Sequence, residues 1–143
     1  VKFFDINKNQ HEFVSKGEKD TKIERRGNQV HVWMTTIRSH ITPDNIEGIK
    51  MGDEVYFHVT NLEQDWDVPH GFAVKGAATA ELLVMPGETQ TLKWVPDQVG
   101  VVPFYCTDFC SALHQEMQGY VRVSPANSKV PLTAVTRSFE PGS

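Results

Sequence analysis

Long apolar runs are missing from this chain. Nothing in it approaches the roughly 20 apolar residues that a helix needs to cross a bilayer, and the N-terminus lacks the basic-then-apolar pattern of a secretory leader. A basic excess is missing too. Lys and Arg number 14 against 18 Asp and Glu, a formal net charge of −4 with a pI near 5.8. That balance disfavours nonspecific nucleic-acid binding and permits a basic protein partner. There is no internal repeat, no low-complexity segment and little sustained helical period. Cysteine is scarce, with only 2 residues, and by count alone a secreted disulfide and a metal pair look alike. Position 1 is Val1 rather than an initiator methionine, so a processed protein or a piece of a longer one is expected. What remains is 143 residues with 39% hydrophobic side chains, enough for one domain with a real core.

Residues 1–28 are polar and charged and read as a linker or extended arm, with Phe3, Phe4 and Phe13 as docking points. From Gln29 the pattern changes. Val30, Val32 and Met34 alternate with His31, Trp33 and Thr35, the period of a half-buried strand. Met51-Gly52-Asp53 reads as a turn, followed by Val55, Phe57 and Val59 on one face. Phe72-Ala73-Val74 makes a short strand after His70. Pro86-Gly87 is a second turn, before a strand over Thr89–Val95. Val101–Tyr105 runs into Cys106, and Tyr120–Val123 follows. Six or more short strands at this spacing predict an all-β sandwich over residues 29–124. Residues 125–143, with Pro125, Pro131 and Pro141, read as a surface tail.

The chemistry is concentrated between the last two strands, in Cys106-Thr107-Asp108-Phe109-Cys110-Ser111-Ala112-Leu113-His114-Gln115-Glu116-Met117. Thiolate, imidazole and thioether on one loop suit copper; magnesium and calcium prefer oxygen, and the thioether argues against zinc. A mononuclear blue-copper centre takes two histidines, one cysteine and an axial methionine, which leaves a second cysteine unused. Two bridging thiolates between two coppers use both. Of about eight ligand positions, the bridges fill four, two histidines two and Met117 one. A backbone carbonyl between the cysteines, that of Asp108, supplies the last. The count requires a second histidine besides His114. His70, in Val68-Pro69-His70-Gly71-Phe72 at a strand start, is the best candidate; His40 is not excluded by spacing, His11 lies in the arm, and His31 and His58 fall at mid-strand positions. Taken singly, each has a plainer reading. The cysteines form a disulfide or buried thiols, Met117 packs in the core, and His70 is a hydrogen-bonded turn residue.

Together, Cys106-x3-Cys110-x3-His114-x2-Met117 and the upstream Pro69-His70-Gly71-Phe72 resemble the binuclear CuA electron-transfer site. Two families carry that site on a cupredoxin fold: nitrous-oxide reductase in its C-terminal domain, and cytochrome c oxidase subunit II in its soluble domain. The specific resemblance covers about residues 66–124. His-Gly-Phe and Cys-Ser-Ala-Leu-His-Gln-Glu-Met are similar to nitrous-oxide reductase. The oxidase subunit more often has glutamate where Asp108 stands and carries transmembrane helices before the domain; its soluble CuA domain is the alternative.

The resemblance implies a cupredoxin-like Greek-key β-sandwich with two copper ions bridged by Cys106 and Cys110. His70 and Met117 complete one ion; His114 and the Asp108 carbonyl complete the other. It implies electrons accepted from a cytochrome c or a small cupredoxin and passed to a copper-sulfide centre that reduces nitrous oxide to dinitrogen. That centre is held on a separate β-propeller domain, in a periplasmic protein that forms a homodimer. A chain of this length then transfers electrons without performing the reduction. Glu63, Asp65 and Asp67 read as an acidic docking face or as a solvated turn, and Trp33, Trp66 and Trp94 as scattered candidates for an aromatic docking group. Phe72, Tyr105, Phe109 and Leu113 are expected to wall the site from water. The competing readings are a copper-storage or copper-delivery cupredoxin and a disulfide-bonded structural sandwich.

Overall fold

The computed structural model describes residues 15, 17, 20–37, 40–63, 70–75, 82–108 and 116–136; for His40, residues 106–108 and residues 116–117 the backbone alone is described. Among these residues the chain forms eleven strands and no α-helix. The alternating segments become β2 (Gln29–Ile37), β5 (Glu54–Asn61), β6 (His70–Val74), β8 (Thr89–Trp94), β9 (Gly100–Asp108) and β10 (Glu116–Ser124), as the sequence predicts. Five shorter or less regular strands accompany them: β1 (Lys22–Arg26), β3 (His40–Thr42), β4 (Asn45–Lys50), β7 (Leu82–Val84) and β11 (Thr133–Val135). β1 and β11 lie in segments whose sequence reads as arm and tail.

The strands make two sheets. One runs β1-β2-β5-β8, with β3 also paired to β2; the other runs β11-β4-β10-β9-β6-β7. β2 pairs with β5, and β4 with β10, in parallel; the other pairs are antiparallel. Two sheets with such crossovers pack face to face because each strand carries one apolar row. Val30, Val32, Met34, Val55, Phe57, Val59 and Leu92 from the first sheet meet Ile46, Ile49, Phe72, Val74, Val84, Phe104, Val121 and Val123 from the second. Phe57 bridges the sheets, its ring centroid 5.6 Å from Phe72 and 6.3 Å from Phe104. Each buried ring contributes about 1.5–3 kcal/mol by leaving water.

β4 departs from strict alternation for a local reason. The β4–β10 register slips between Arg122 and Val123, which pair with Glu47 and Ile49 and leave Gly48 as the extra residue of a bulge. Gly48 has φ +92°, and a Cβ there would run into the backbone of Pro131 and Leu132. The bulge therefore lets the chain ahead of β11 lie directly on β4, and Leu132 and Ala134 pack against the core. On the adjoining edge of the other sheet, Arg25 of β1 forms a bidentate pair with Asp53, Nη1 to Oδ1 at 3.0 Å and Nη2 to Oδ2 at 2.9 Å, and its Nη2 also reaches the Gly48 carbonyl at 3.4 Å. Asp53 Oδ2 also accepts the Lys50 N–H at 2.8 Å, so one carboxylate ties β1 to the turn between β4 and β5.

The period of β2 predicts one wet face, and the structure differs: His31, Trp33 and Thr35 are buried as deeply as the core row. Ser15 is part of that cover, its N–H donating to Thr60 Oγ1 at 3.2 Å. Trp33 lies beneath Lys22, whose Nζ is 4.5 Å from the ring centroid. Trp33 and Trp94 are 2% and 7% exposed, so neither offers the docking surface considered for it. Trp66 lies outside the described residues.

Candidate metal centre

Three neighbouring strands set the candidate ligands. β6 and β10 flank β9, and the pairing places His70 opposite Asp108, and Cys106 between Phe72 on one side and Met117 on the other. Directly opposed backbones in an antiparallel ladder lie about 5 Å apart, so His70, Cys106, Asp108 and Met117 belong to one small patch of backbone at one end of the sandwich. The last pair before the connecting loop is Thr107 with Glu116. Residues 109–115 thus depart from and return to adjacent, paired positions. Cys110 and His114, with Phe109 and Leu113, lie in that loop, outside the described residues. Side-chain positions are described for His70 but not for Cys106, Asp108 or Met117.

His70 opens β6 and is fully buried, between Val84 of β7 and Asp108 of β9. Its Nε2 faces Glu63 Oε1 at 3.4 Å, longer than the usual ~2.9 Å of an N–H···O bond. Its Nδ1 has no hydrogen-bond partner among the described residues. A carboxylate oxygen only accepts, so in the neutral imidazole the ring nitrogen facing it carries the hydrogen and Nδ1 presents a lone pair. Leaving such a buried atom unpartnered costs about 1–3 kcal/mol, and a metal ion bound there removes the penalty. The second nitrogen held by a carboxylate is the usual companion of a metal-bound imidazole. The donor set therefore fits a copper ligand at His70 Nδ1.

Glu63 is the residue that sequence reasoning misplaced. It is neither a docking group nor a solvated turn residue, being 8% exposed and turned toward His70. Its place in an acidic run hid this, because the run reads as surface; Asp65 and Asp67 lie outside the described residues. Phe72 is fully buried behind the site, while Tyr105 is half-buried. The other described histidines are elsewhere. His31 and His58 bond to each other, Nδ1 to Nε2 at 2.7 Å, on the far side of the other sheet. His40 sits in β3 of that sheet, and His11 lies outside the described residues. No group of three or more His, Cys, Asp or Glu side chains converges among the described residues, and none of their helices is long and apolar enough to cross a membrane.

The two-sheet topology and a buried histidine beside a cysteine-bearing strand define a cupredoxin-like Greek-key β-sandwich. Solved structures share that fold. A chain of a heme-copper terminal oxidase dimer superposes with a TM-score of 0.56 at 20% identity, over 68% of this chain and 66% of that one. The copper nitrite reductase of Nitrosomonas europaea gives 0.51 at 17% identity, over 72% and 44%. No sequence-family profile matches. Curated relatives do: nitrous-oxide reductase of Stutzerimonas stutzeri is 38% identical over 107 residues, and that of Pseudomonas fluorescens 36% over 109, covering 75% and 76% of this chain. The chain spans 16% and 17% of those proteins' own length. Cytochrome c oxidase subunit 2 of Thermus thermophilus is 31% identical over 96 residues, 67% of each chain. The chain belongs to the family of CuA-type electron-transfer domains found in nitrous-oxide reductase and cytochrome c oxidase subunit 2.

Proposed function

We propose that the chain is the electron-transfer domain of a nitrous-oxide reductase, with Cys106, Cys110, His70, His114, Met117 and the Asp108 carbonyl holding a binuclear copper centre. The observation that carries this reading is the fully buried His70, with Nε2 toward Glu63 and Nδ1 without a partner among the described residues, in register with Asp108 and beside the strand bearing Cys106. Higher identity to the nitrous-oxide reductases than to the oxidase subunit favours the first parent protein. When bound, such a centre spreads one electron over two metals and two sulfurs, so bond lengths change little on transfer. The protein supplies the rest. Glu63 holds the ring of His70, the β9–β10 pairing pins both ends of the ligand loop, and Phe72 and Phe104 fill the space behind β6 and β9 and exclude water.

In this reading the electron arrives from a cytochrome c or a small cupredoxin and leaves for a copper-sulfide centre on another part of a periplasmic, homodimeric protein. Residues 29–124 hold the ligands, with 1–28 and 125–143 as flanking segments. The oxidase-subunit reading shares the metal and differs in partner. The test is copper reconstitution followed by metal analysis and electron paramagnetic resonance. Two coppers per chain, with spin shared over two nuclei, is the expected result; a Cys106→Ser or Cys110→Ser variant that keeps the shared-spin signal refutes the bridging assignment.

A further inference from the structure

We infer that Asn61 is a positioning residue that sets the ring of His70; this rests on the reading of His70 as a copper ligand. Asn61 ends β5, in the opposite sheet from His70, and is fully buried. Its carboxamide reaches both walls of the His70 site. Nδ2 donates to the Val84 carbonyl at 3.0 Å, and Val84 is the residue paired with His70 across β6 and β7. Oδ1 accepts the Glu63 N–H at 2.9 Å, and the Glu63 carboxylate is the group facing His70 Nε2. The backbone is engaged as well: the Asn61 N–H donates to Glu88 O at 3.0 Å, and its carbonyl accepts the Gly87 N–H at 2.9 Å.

One residue therefore fixes the strand beside His70, the acid that orients it and the turn after β7. The chemistry is specific to a neutral amide. Aspartate offers two acceptors, so it keeps the Glu63 N–H and opposes the Val84 carbonyl; leucine fills the same space and leaves both buried groups without that partner. The two hydrogen bonds of its carboxamide run to Val84 and Glu63 rather than to the His70 ring. Its effect passes through where Glu63 and β7 stand.

The test uses the chain in the copper-free and copper-loaded states, with Asn61→Leu, Asn61→Asp and His70→Ala variants and circular dichroism as the fold control. Nitrogen-15 spectra of the copper-free wild type should show His70 in one tautomer, hydrogen on Nε2. Asn61→Leu should show a mixture, and Asn61→Asp a smaller departure in the same direction. With copper, Asn61→Leu should bind about 10- to 100-fold more weakly with an altered resonance signal. If Asn61→Leu does not fold, Asn61→Asp carries the test. Wild-type tautomer and copper signal in the folded Asn61 variants, while His70→Ala alters the copper signal, overturns the inference. A copper signal unchanged in His70→Ala instead refutes the parent reading, whatever the tautomer spectra show.

Discussion

Glu63 and His70 face each other at 3.4 Å at one end of the sandwich, both buried, seven residues apart in sequence and joined through the segment between β5 and β6. The pairing is one-sided. It engages Nε2 and leaves Nδ1 without a hydrogen-bond partner among the described residues, at the position paired with Asp108. In the proposed copper centre, an imidazole held this way would be in place before the metal arrives, which lowers the ordering cost of binding.

Replacing the acid separates orientation from charge. Glu63→Gln keeps an oxygen that accepts from Nε2 and should weaken copper binding by less than about 10-fold; Glu63→Leu removes the acceptor and should weaken it by about 10- to 100-fold. Titration with copper against a competing chelator measures both. Equal affinities for wild type and Glu63→Leu would show that the contact does not orient the ligand.

The Arg25–Asp53 pair makes stability depend on pH. Burial pushes the Asp53 carboxyl up, but the Arg25 guanidinium and the Lys50 N–H outweigh it and hold its pKa below the ordinary carboxylate value. A group whose folded pKa is depressed contributes its full stability above the unfolded pKa of about 3.9 and loses it as pH falls through the folded value. Denaturant unfolding of the wild type should therefore lose stability below about pH 4, and Asp53→Asn should lose less over that window. At pH 7, Asp53→Asn should be destabilised by about 2 kcal/mol, because the partly buried Arg25 exchanges a charge-assisted bidentate partner for a weaker neutral one. Parallel pH profiles for the two proteins would contradict this.

What could be read from the residues follows from how regular each strand is. Val30, Val32 and Met34, or Val55, Phe57 and Val59, keep the two-residue period because both strands are central and pair without a bulge, so β2 and β5 were legible. β4 was not, because Gly48 inserts a bulge that sets its core residues, Ile46 and Ile49, three apart instead of two. β1 carries one apolar residue, Ile23, on an edge, and is held by Arg25 rather than by a hydrophobic row. At the proposed site, His70 stood out as a candidate by its neighbours Pro69, Gly71 and Phe72. Glu63 did not, since burial is decided by the opposite sheet and an acid beside Asp65 and Asp67 looks like surface.

Gly119 tests how tightly β9 and β10, the strands with the candidate ligands Cys106 and Met117, are packed. It lies opposite Phe104 in the β9–β10 ladder, and a Cβ there would collide with the Phe104 ring and with the Asp44 carbonyl. That carbonyl is fixed by the Tyr120 N–H at 2.9 Å and cannot withdraw freely. Gly119→Ala should therefore cost about 3 kcal/mol. Because Met117 is two residues along the same strand, the variant should also broaden the copper signal. A loss below about 1 kcal/mol in thermal unfolding would mean that β10 shifts at little cost.

His31 and His58 make a coupled pair whose worth a double-mutant cycle can isolate. Their rings are nearly coplanar, 14° apart, with centroids at 5.0 Å and Nδ1 to Nε2 at 2.7 Å. That separation is little more than the nitrogen contact plus a ring radius on each side, so the rings meet edge to edge and the hydrogen bond runs along the line of centres. The outer nitrogens are also engaged, His31 Nε2 with Gln29 Oε1 at 3.1 Å and His58 Nδ1 with Thr91 Oγ1 at 2.8 Å. One neutral arrangement satisfies all three contacts: Thr91 donates to His58, His58 to His31, and His31 to Gln29. Removing one ring strips the other of its inner bond at a cost of about 1–3 kcal/mol, whereas replacing both with apolar rings removes donor and acceptor together. The His31→Phe/His58→Phe double variant should accordingly lose about 1–2 kcal/mol less than the sum of the singles. Additivity within about 0.5 kcal/mol in denaturant unfolding would show that the two imidazoles contribute independently, through packing rather than through the bond between them.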